Sequence, residues 1–447
     1  MKIVIIGNNV AGTFSAQNIR NLNDNVDIEI YTEEKYPYYS RIKLPEFISG
    51  KISIDDLIVY NDDWYELRNL KLCLNTRVNI INPEEKKIIL KDEKEHLSYD
   101  KLILALGSTP NIPPIKNAIE MRNNKKGVFT LRNIDNALEI KNYIDNPEIK
   151  KAIIIGGGLL GLELANQINN CKLDTTVVEF FPQLLPRQLD EECGIMLKEE
   201  IENRGITVVL NAVTEEILGN GKVTGIKLKG GQQFNADIIL IQAGITPTID
   251  LAKEANIQTN KGIVVNEFLE TSIEDIYAVG DCIEYNEKIW GIIPACMEQS
   301  KIVASSILGK KKVKYSGTTP KNTLKIMGLD LTSIGVINPS KETGGGWDIL
   351  KKADKKDCCY EKLVLKDNHL KGAILFGETK ALPFIYSNME QNVSKEDLKE
   401  LLQLYTYECQ KCGAKYDEAS QEKLFKDLPN DWKCNCGASK DKFKRLE

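Results

Sequence analysis

The chain has 447 residues, 42% of them hydrophobic and 28% charged, with a formal net charge of −5. That length bounds about three domains, and a mildly acidic chain with no basic tract excludes nucleic-acid binding as its main task. No apolar run reaches the ~18 residues of a membrane span, and the opening Met-Lys-Ile-Val-Ile-Ile-Gly reads as a strand and not as a leader, so a cytoplasmic protein is expected.

Taken in chain order, one pattern occurs twice. An apolar strand runs into a glycine-rich turn and a helix at Lys2-Ile-Val-Ile-Ile-Gly7-Asn-Asn9-Val-Ala-Gly12 and again at Lys151-Ala-Ile-Ile-Ile-Gly156-Gly-Gly158-Leu-Leu-Gly161. Each is followed by a strand ending in acid, Glu33 or Glu34 in the first case and Glu179 in the second. A second echo links Leu102-Ile-Leu-Ala105-Leu-Gly107-Ser-Thr-Pro110 to Ile238-Ile-Leu-Ile-Gln-Ala-Gly244-Ile-Thr-Pro247. Two echoes in matching order predict two nucleotide-binding domains of similar build.

The second turn carries the full G-x-G-x-x-G in Gly156, Gly158 and Gly161, with Glu179 about 20 positions on. Glycines there let the backbone approach a pyrophosphate, and the helix N-terminus supplies free N–H groups and a positive dipole end. Glu179 accepts hydrogen bonds from ribose hydroxyls and repels a 2′-phosphate, so NADH is expected over NADPH. The first turn keeps Gly7 and Gly12 but has Asn9 at the middle glycine position, which narrows the approach to a phosphate.

Further on, Tyr277-Ala-Val-Gly-Asp281 precedes a helix expected from about Ala295 through Ile307. The stretch 311–390 shifts to alternating strands, and Ser394-Lys-Glu-Asp397 is a capping-box signal for a short helix to about Leu404. Four of the eleven cysteines then crowd into the last forty residues, as Cys409-Gln-Lys-Cys412 and Cys434-Asn-Cys436. Two close thiolate pairs on two turns fit a tetrahedral sulfur site for iron or zinc. Only two histidines occur, His96 and His369, each among charged or turn residues, so proton transfer by histidine is not the expected chemistry.

Residues 1–390 resemble the FAD/NAD-dependent pyridine-nucleotide reductase family, most of all its rubredoxin reductase and nitrite-reductase-flavin-domain branch. The match is carried by the paired glycine turns, Ala105-Leu-Gly107, Gly244-Ile-Thr-Pro247, Tyr277-Ala-Val-Gly-Asp281, Val178-Glu179, Leu185-Pro-Arg-Gln-Leu-Asp190 and Pro37-Tyr-Tyr-Ser-Arg41-Ile-Lys43-Leu-Pro. The resemblance implies an FAD domain, 1–110 and 246–309, split by an NAD domain at 111–245. It implies that FAD extends from the first turn to Asp281, with Glu33 or Glu34 as its ribose acid and Ala105 and Gly107 in its binding motif. Arg41 and Lys43 then fall beside the flavin, and the helix near Ala295 aims its N-terminus at the flavin's pyrimidine end. Gly244 belongs with the NAD motifs, and Lys43 is expected to pair with Glu163 where nicotinamide stacks, as catalytic residues.

The last forty residues resemble rubredoxin, through Tyr407, Cys-Gly-x-x-Tyr416-Asp417, Phe425-x-Asp-Leu-Pro429-x-Asp-Trp432-x-Cys434 and Lys440-Asp-x-Phe443. The loop between the pairs is shorter than in that family, and the second pair is Cys-x-Cys. Iron is expected, with structural zinc as the alternative. The expected architecture is therefore α/β: two Rossmann-like dinucleotide-binding domains, a small α+β domain at 310–393, a helical spacer at 394–404 and a small rubredoxin-like metal-binding tail at 405–447.

Disulfide reductases of this superfamily use a C-x4-C or C-x-x-C pair, and this chain has no cysteine between residues 13 and 72. Electrons are therefore expected to leave the flavin directly for the metal site and then for an external acceptor protein, by resemblance one of flavodiiron or superoxide-reductase type. Two other classes stay open. One is an NADH oxidase, or a reductase of a separate carrier, with a zinc docking module as its tail. The other is a non-enzymatic NADH-responsive binding protein. The domain at 310–393 is expected to shape the docking surface or the contact of a homodimer.

Overall fold

Alternating apolar strands and amphipathic helices give a chain that divides into two units in the computed structural model, which describes residues 1–91, 96–310, 313–326, 328–339, 345–354, 357–421 and 423–446. One unit is Met1–Gly156, Gln167–Thr175 and Thr214–Thr318; the other is Gly157–Asn166, Thr176–Val213 and Thr319–Glu447. Among the described residues no helix is long and apolar enough to cross a membrane.

In the first unit the run Lys2–Ile6 is apolar on both faces and lies in the middle of a five-stranded parallel sheet, as near-continuous apolar strands do. The order is Ile276–Ala278, Lys101–Leu104, Lys2–Ile6, Asp27–Tyr31, Leu70–Cys73. The helix Val10–Leu22 packs against the helix Ile293–Ile307, and Asn18 Nδ2 donates to Ser300 Oγ at 3.0 Å. A second parallel set, Lys151–Ile155, Ile238–Ile241 and Val128–Phe129, repeats the build. The tails of the two sequence echoes meet. Ser108–Pro110 and Ile245–Pro247 form an antiparallel ribbon with Thr109 opposite Thr246. The duplication read in the sequence thus closes on itself in space.

In the second unit, Thr176–Val178 pairs in parallel with Thr207–Val209. Asp190 caps the helix Glu191–Asn203 by accepting from the Cys193 N–H at 3.1 Å. The stretch after 319 forms a five-stranded antiparallel sheet in the order Lys321–Ile326, Leu329–Gly335, His369–Phe376, Cys359–Lys366, Trp347–Asp354. Ser394 accepts from the Asp397 N–H at 3.0 Å and opens the helix Lys395–Leu402, as the capping signal anticipates.

The cysteine-rich segment is packed onto this sheet. Leu424 is buried in the same apolar core as Leu363, Leu375, Ile385 and Leu398. Lys426 pairs with the buried Asp354, and Lys399 with Asp417 at 2.8 Å. The buried Glu418 carboxylate accepts from the N–H groups of Tyr405 and Phe425.

Candidate functional site

The first turn is built around backbone contact. Gly7 has φ +112°, and a Cβ there would lie 2.1 Å from the Ala105 carbonyl oxygen. A side chain is excluded because the turn and the end of the strand Lys101–Leu104 touch. Gly12 is as confined, 1.9 Å from the Gly7 oxygen by the same measure. Asn9 is the N-cap of the following helix, its Oδ1 accepting from the Val10 N–H at 2.8 Å. Its neighbour Asn8 is buried. Asn8 Oδ1 takes the hydroxyls of Thr13 and Tyr65, and its Nδ2 has no hydrogen-bond partner among the described residues.

The two acids after the second strand are held differently. Glu33 is 65% exposed and stands 3.5 Å from Arg77. The Glu34 carboxylate accepts from the Tyr39 hydroxyl and from Arg41, each at 2.5 Å. Arg41 Nε is buried without a partner among the described residues. Thr32 bonds to Cys73 O as Glu179 bonds to Val209 O. Thr32, not an acid, thus stands at the position equivalent to Glu179 in the strand ladder. Lys43 is exposed at the end of the short helix Arg41–Lys43 in the first unit. Glu163 lies on the helix Leu159–Asn170, in the second unit.

Asp281 follows Gly280, whose N–H donates to the buried Gln299 side chain at 2.7 Å. The Asp281 carboxylate accepts from Ser108 Oγ at 2.9 Å and from Arg132 at 3.0 Å. Arg132 also donates to the Ser108 carbonyl and hydroxyl. Burial and the neighbouring Arg41 charge depress the Arg132 guanidinium, and Asp281 opposes them. Ala295 is buried in the first turn of the helix Ile293–Ile307, whose N-cap Ile292 supplies no side-chain acceptor. First-turn N–H groups are therefore left for another acceptor. Gly107 and Gly244 both take left-handed backbone, φ +69° and +92°, at the bends on either side of the echo ribbon.

The second turn repeats the first. A Cβ on Gly156, φ +118°, would lie 2.3 Å from the Gln242 oxygen, the counterpart of Gly7 against Ala105. Around Gly158 no heavy atom of the described residues outside its own turn lies within 4 Å of a Cβ, so that glycine leaves open space. Gly161 is in the first turn of the following helix. The buried Glu179 carboxylate accepts from the Gly157 N–H at 2.5 Å and the Phe181 N–H at 2.9 Å.

Cys409, Cys412, Cys434 and Cys436 converge, their sulfurs all within 4.8 Å of one another. Cys409 to Cys436 is 3.7 Å and Cys412 to Cys434 is 3.6 Å. A tetrahedron with metal–sulfur bonds of about 2.3 Å has edges of about 3.8 Å, so this donor set fits one ion. The shortened turn keeps the closing half of its longer counterpart. The Cys409 N–H donates to Ala414 O and the Cys434 N–H to Ala438 O, both at 2.8 Å. Gly413 and Gly437 both take left-handed backbone, φ +73° and +81°. The N–H of Ala414 points at the Cys412 sulfur and that of Ala438 at the Cys436 sulfur, and the latter holds the Cys436 thiol down at about 7. The missing residue is thus taken from between the cysteines, not from the part that bonds to sulfur.

Residues 1–300 match the family described as pyridine nucleotide-disulphide oxidoreductase, and residues 320–393 match the rubredoxin NAD+ reductase C-terminal domain. The chain belongs to the pyridine nucleotide-disulphide oxidoreductases. A nitrite reductase [NAD(P)H] of Bacillus subtilis is 36% identical over 391 residues, 87% of this chain and 47% of its own length. The chain thus spans about half the length of that relative. An NADH-rubredoxin oxidoreductase of Clostridium acetobutylicum is 32% identical over 377 residues, 84% of this chain and 91% of its own. The crystal structure of NADH:rubredoxin oxidoreductase from that organism superposes with a TM-score of 0.71 at 29% identity, covering 90% of this chain and 98% of the other.

Membership of the pyridine nucleotide-disulphide oxidoreductases implies FAD and a nicotinamide dinucleotide. The first unit fits the flavin dinucleotide. Two guanidiniums, Arg41 and Arg132, lie close enough to repel, Arg41 Nε and Asn8 Nδ2 are buried without partners among the described residues, and a helix N-terminus has no side-chain cap. Burial pushes the Cys282 thiol up to about 12 and the Cys296 thiol higher still. Arg132 and Ser108 are site residues that the sequence reading missed. Ser108 follows Gly107 within the first echo, whereas Arg132 lies outside the glycine and aspartate motifs, where an Arg after the apolar strand Val128–Phe129 is the one available signal.

Proposed function

We propose that the chain is an NADH oxidoreductase that passes electrons through FAD to a one-iron rubredoxin-like centre in its own tail and on to an external acceptor protein. The carrying observation is the convergence of Cys409, Cys412, Cys434 and Cys436 within 4.8 Å in a chain of this family. Fitting segments are 1–110 with 246–309 for FAD, 111–245 for NADH, 310–393 for the small α+β domain, 394–404 for the spacer and 405–447 for the metal tail.

FAD, when bound, accepts the electron pair of a hydride and releases electrons singly, and one iron accepts one at a time. The residues of the chain do the rest. Gly7 and Gly12 bring backbone close to the pyrophosphate, with Arg41 and Arg132 to neutralise it. Glu33 or Glu34 serves the FAD ribose, and Glu34 also orients Arg41. Asp281 accepts from the ribityl chain, with Arg132 and Ser108 fixing its carboxylate. The N–H groups near Ala295 favour negative charge at the pyrimidine end of the ring. Gly156, Gly158, Gly161 and Gly244 frame the NADH site, where Glu179 receives ribose hydroxyls and disfavours a 2′-phosphate. Lys43, paired with Glu163, positions nicotinamide. The four thiolates hold iron in preference to zinc, by the resemblance of their surroundings to rubredoxin. Eleven cysteines with no disulfide among the described residues suit a reducing cytoplasm.

The test is a Cys412→Ser, Cys436→Ser chain. It should still bleach its flavin with NADH at the original rate but lose at least about tenfold in reduction of a one-electron acceptor protein. Unchanged acceptor reduction would remove the tail from the electron path.

A further inference from the structure

The four clustered cysteines are not equally covered. Cys409 and Cys434 are buried, Cys436 is half-buried and Cys412 is exposed. The cluster therefore has one open edge, at Cys412. Charge is sorted around that edge. Lys411 and Lys433, both exposed, directly precede Cys412 and Cys434. Lys411 Nζ donates to the Cys436 carbonyl at 3.2 Å, which places its ammonium against the second cysteine turn. Glu408 is the one acid that adjoins a clustered cysteine, and it lies opposite Lys415 on one neighbouring strand and Lys444 on the other. Lys411, Lys415, Lys433 and Lys444 are in no ion pair among the described residues. The nearby Lys442 and Asp441 pair with each other at 3.1 Å. Two further acids of the tail are engaged elsewhere: Asp417 pairs with Lys399, and the buried Glu418 accepts backbone N–H groups. Even with Asp431, two residues before Lys433, counted in, the rim of the open edge is cationic.

We propose that this rim is the docking surface for the external acceptor, and that the acceptor is a one-electron protein whose redox centre is ringed by carboxylates. The inference rests on the reading that electrons leave the chain through the cysteine site. Electron transfer weakens steeply with distance, so the acceptor gains most by seating on the Cys412 edge. Opposite charge steers an acidic carrier to that edge and fixes its orientation, and like charge turns a lysine-rich carrier away. Each transfer moves one electron from the metal centre to the partner's centre, with NADH as the source, and no covalent bond forms between the two proteins.

The experiment uses the full chain, loaded with flavin and metal, and cytochrome c as the probe in two forms. One is the lysine-rich protein; the other is succinylated, which makes the surface anionic around the same haem. Binding is measured with both partners oxidised, so that no turnover enters the readout. The succinylated form should bind at about 20 mM salt and lose about tenfold in affinity by about 300 mM, as the Debye length shortens. The unmodified form should bind at neither. A Lys411→Glu, Lys433→Glu chain should weaken binding of the succinylated form about tenfold, with metal content and visible spectrum unchanged. Lys411→Arg with Lys433→Arg, which keeps the charge, should hold Kd within about twofold. Tighter binding of the unmodified form, or a Kd untouched by charge reversal, would overturn the assignment. Reduction rates separate the two layers. If Cys412→Ser with Cys436→Ser abolishes reduction of the succinylated form while charge reversal changes neither binding nor rate, the partner assignment alone fails. If the cysteine variant reduces it at the original rate, the relay reading fails and the inference with it.

Discussion

Arg132 and Asp281 form an ion pair at 3.0 Å in which Ser108 bonds to both partners. The aspartate was visible in the sequence as the end of Tyr277-Ala-Val-Gly-Asp281, and the arginine that fixes it was not. Replacing Arg132 with Met leaves a largely buried carboxylate without its cation, at a cost of about 3 kcal/mol. The expected outcome is a lower thermal midpoint and release of FAD on gel filtration. Full flavin occupancy with an unchanged midpoint would separate Arg132 from the site.

The second turn contains two glycines with different tasks. Gly156→Ala places a methyl 2.3 Å from the Gln242 oxygen at φ +118° and should destabilise the fold by more than ~2 kcal/mol. Gly158→Ala meets no atom of the described residues beyond its own turn within 4 Å, so its thermal midpoint should hold while KM for NADH rises about tenfold. Thermal unfolding and steady-state kinetics on the pair check the contrast.

Lys43 is exposed and is proposed to act at the nicotinamide with Glu163. Lys43→Met should slow flavin bleaching by NADH about tenfold, with FAD content and visible spectrum unchanged. Rapid-mixing absorbance reads the rate, and an unaltered rate would dismiss the role.

Acid stability should depend on Glu29. Burial raises its carboxyl, but the Tyr31 hydroxyl and the Lys71 and Lys2 ammoniums outweigh burial and lower it from 4.5 to about 2. A depressed carboxyl stabilises the fold above its unfolded value and loses that contribution as pH falls toward the folded one. The window is therefore pH 4.5 to about 2. With Lys71 61% exposed, screening reduces the contribution to about 2 kcal/mol. Glu29→Gln should lose that stability at pH 7 and show a flatter decline through the window in denaturant titrations.

Local motifs made much of the site legible. Gly7, Gly156, Asp281 and the four cysteines each sit in a short pattern whose chemistry needs those residue types. The exchange of Thr32 for an acid at the Glu179 position could not be read, because it depends on ladder register and not on spacing. Nor could the burial of Leu424 in the core of the sheet. One leucine after a polar loop carries no periodic signal, yet it ties the metal segment to the domain before it. A chain cut near Tyr405 would consequently expose that core, which makes cysteine substitution the cleaner way to remove the metal.

The most direct measurement is metal content with the visible spectrum of the purified full chain, before and after anaerobic NADH. One iron per chain is expected, with thiolate-to-Fe(III) bands beside those of the flavin, both bleached by NADH. One zinc per chain, no such bands and bleaching confined to the flavin would contradict a relay through Cys409, Cys412, Cys434 and Cys436.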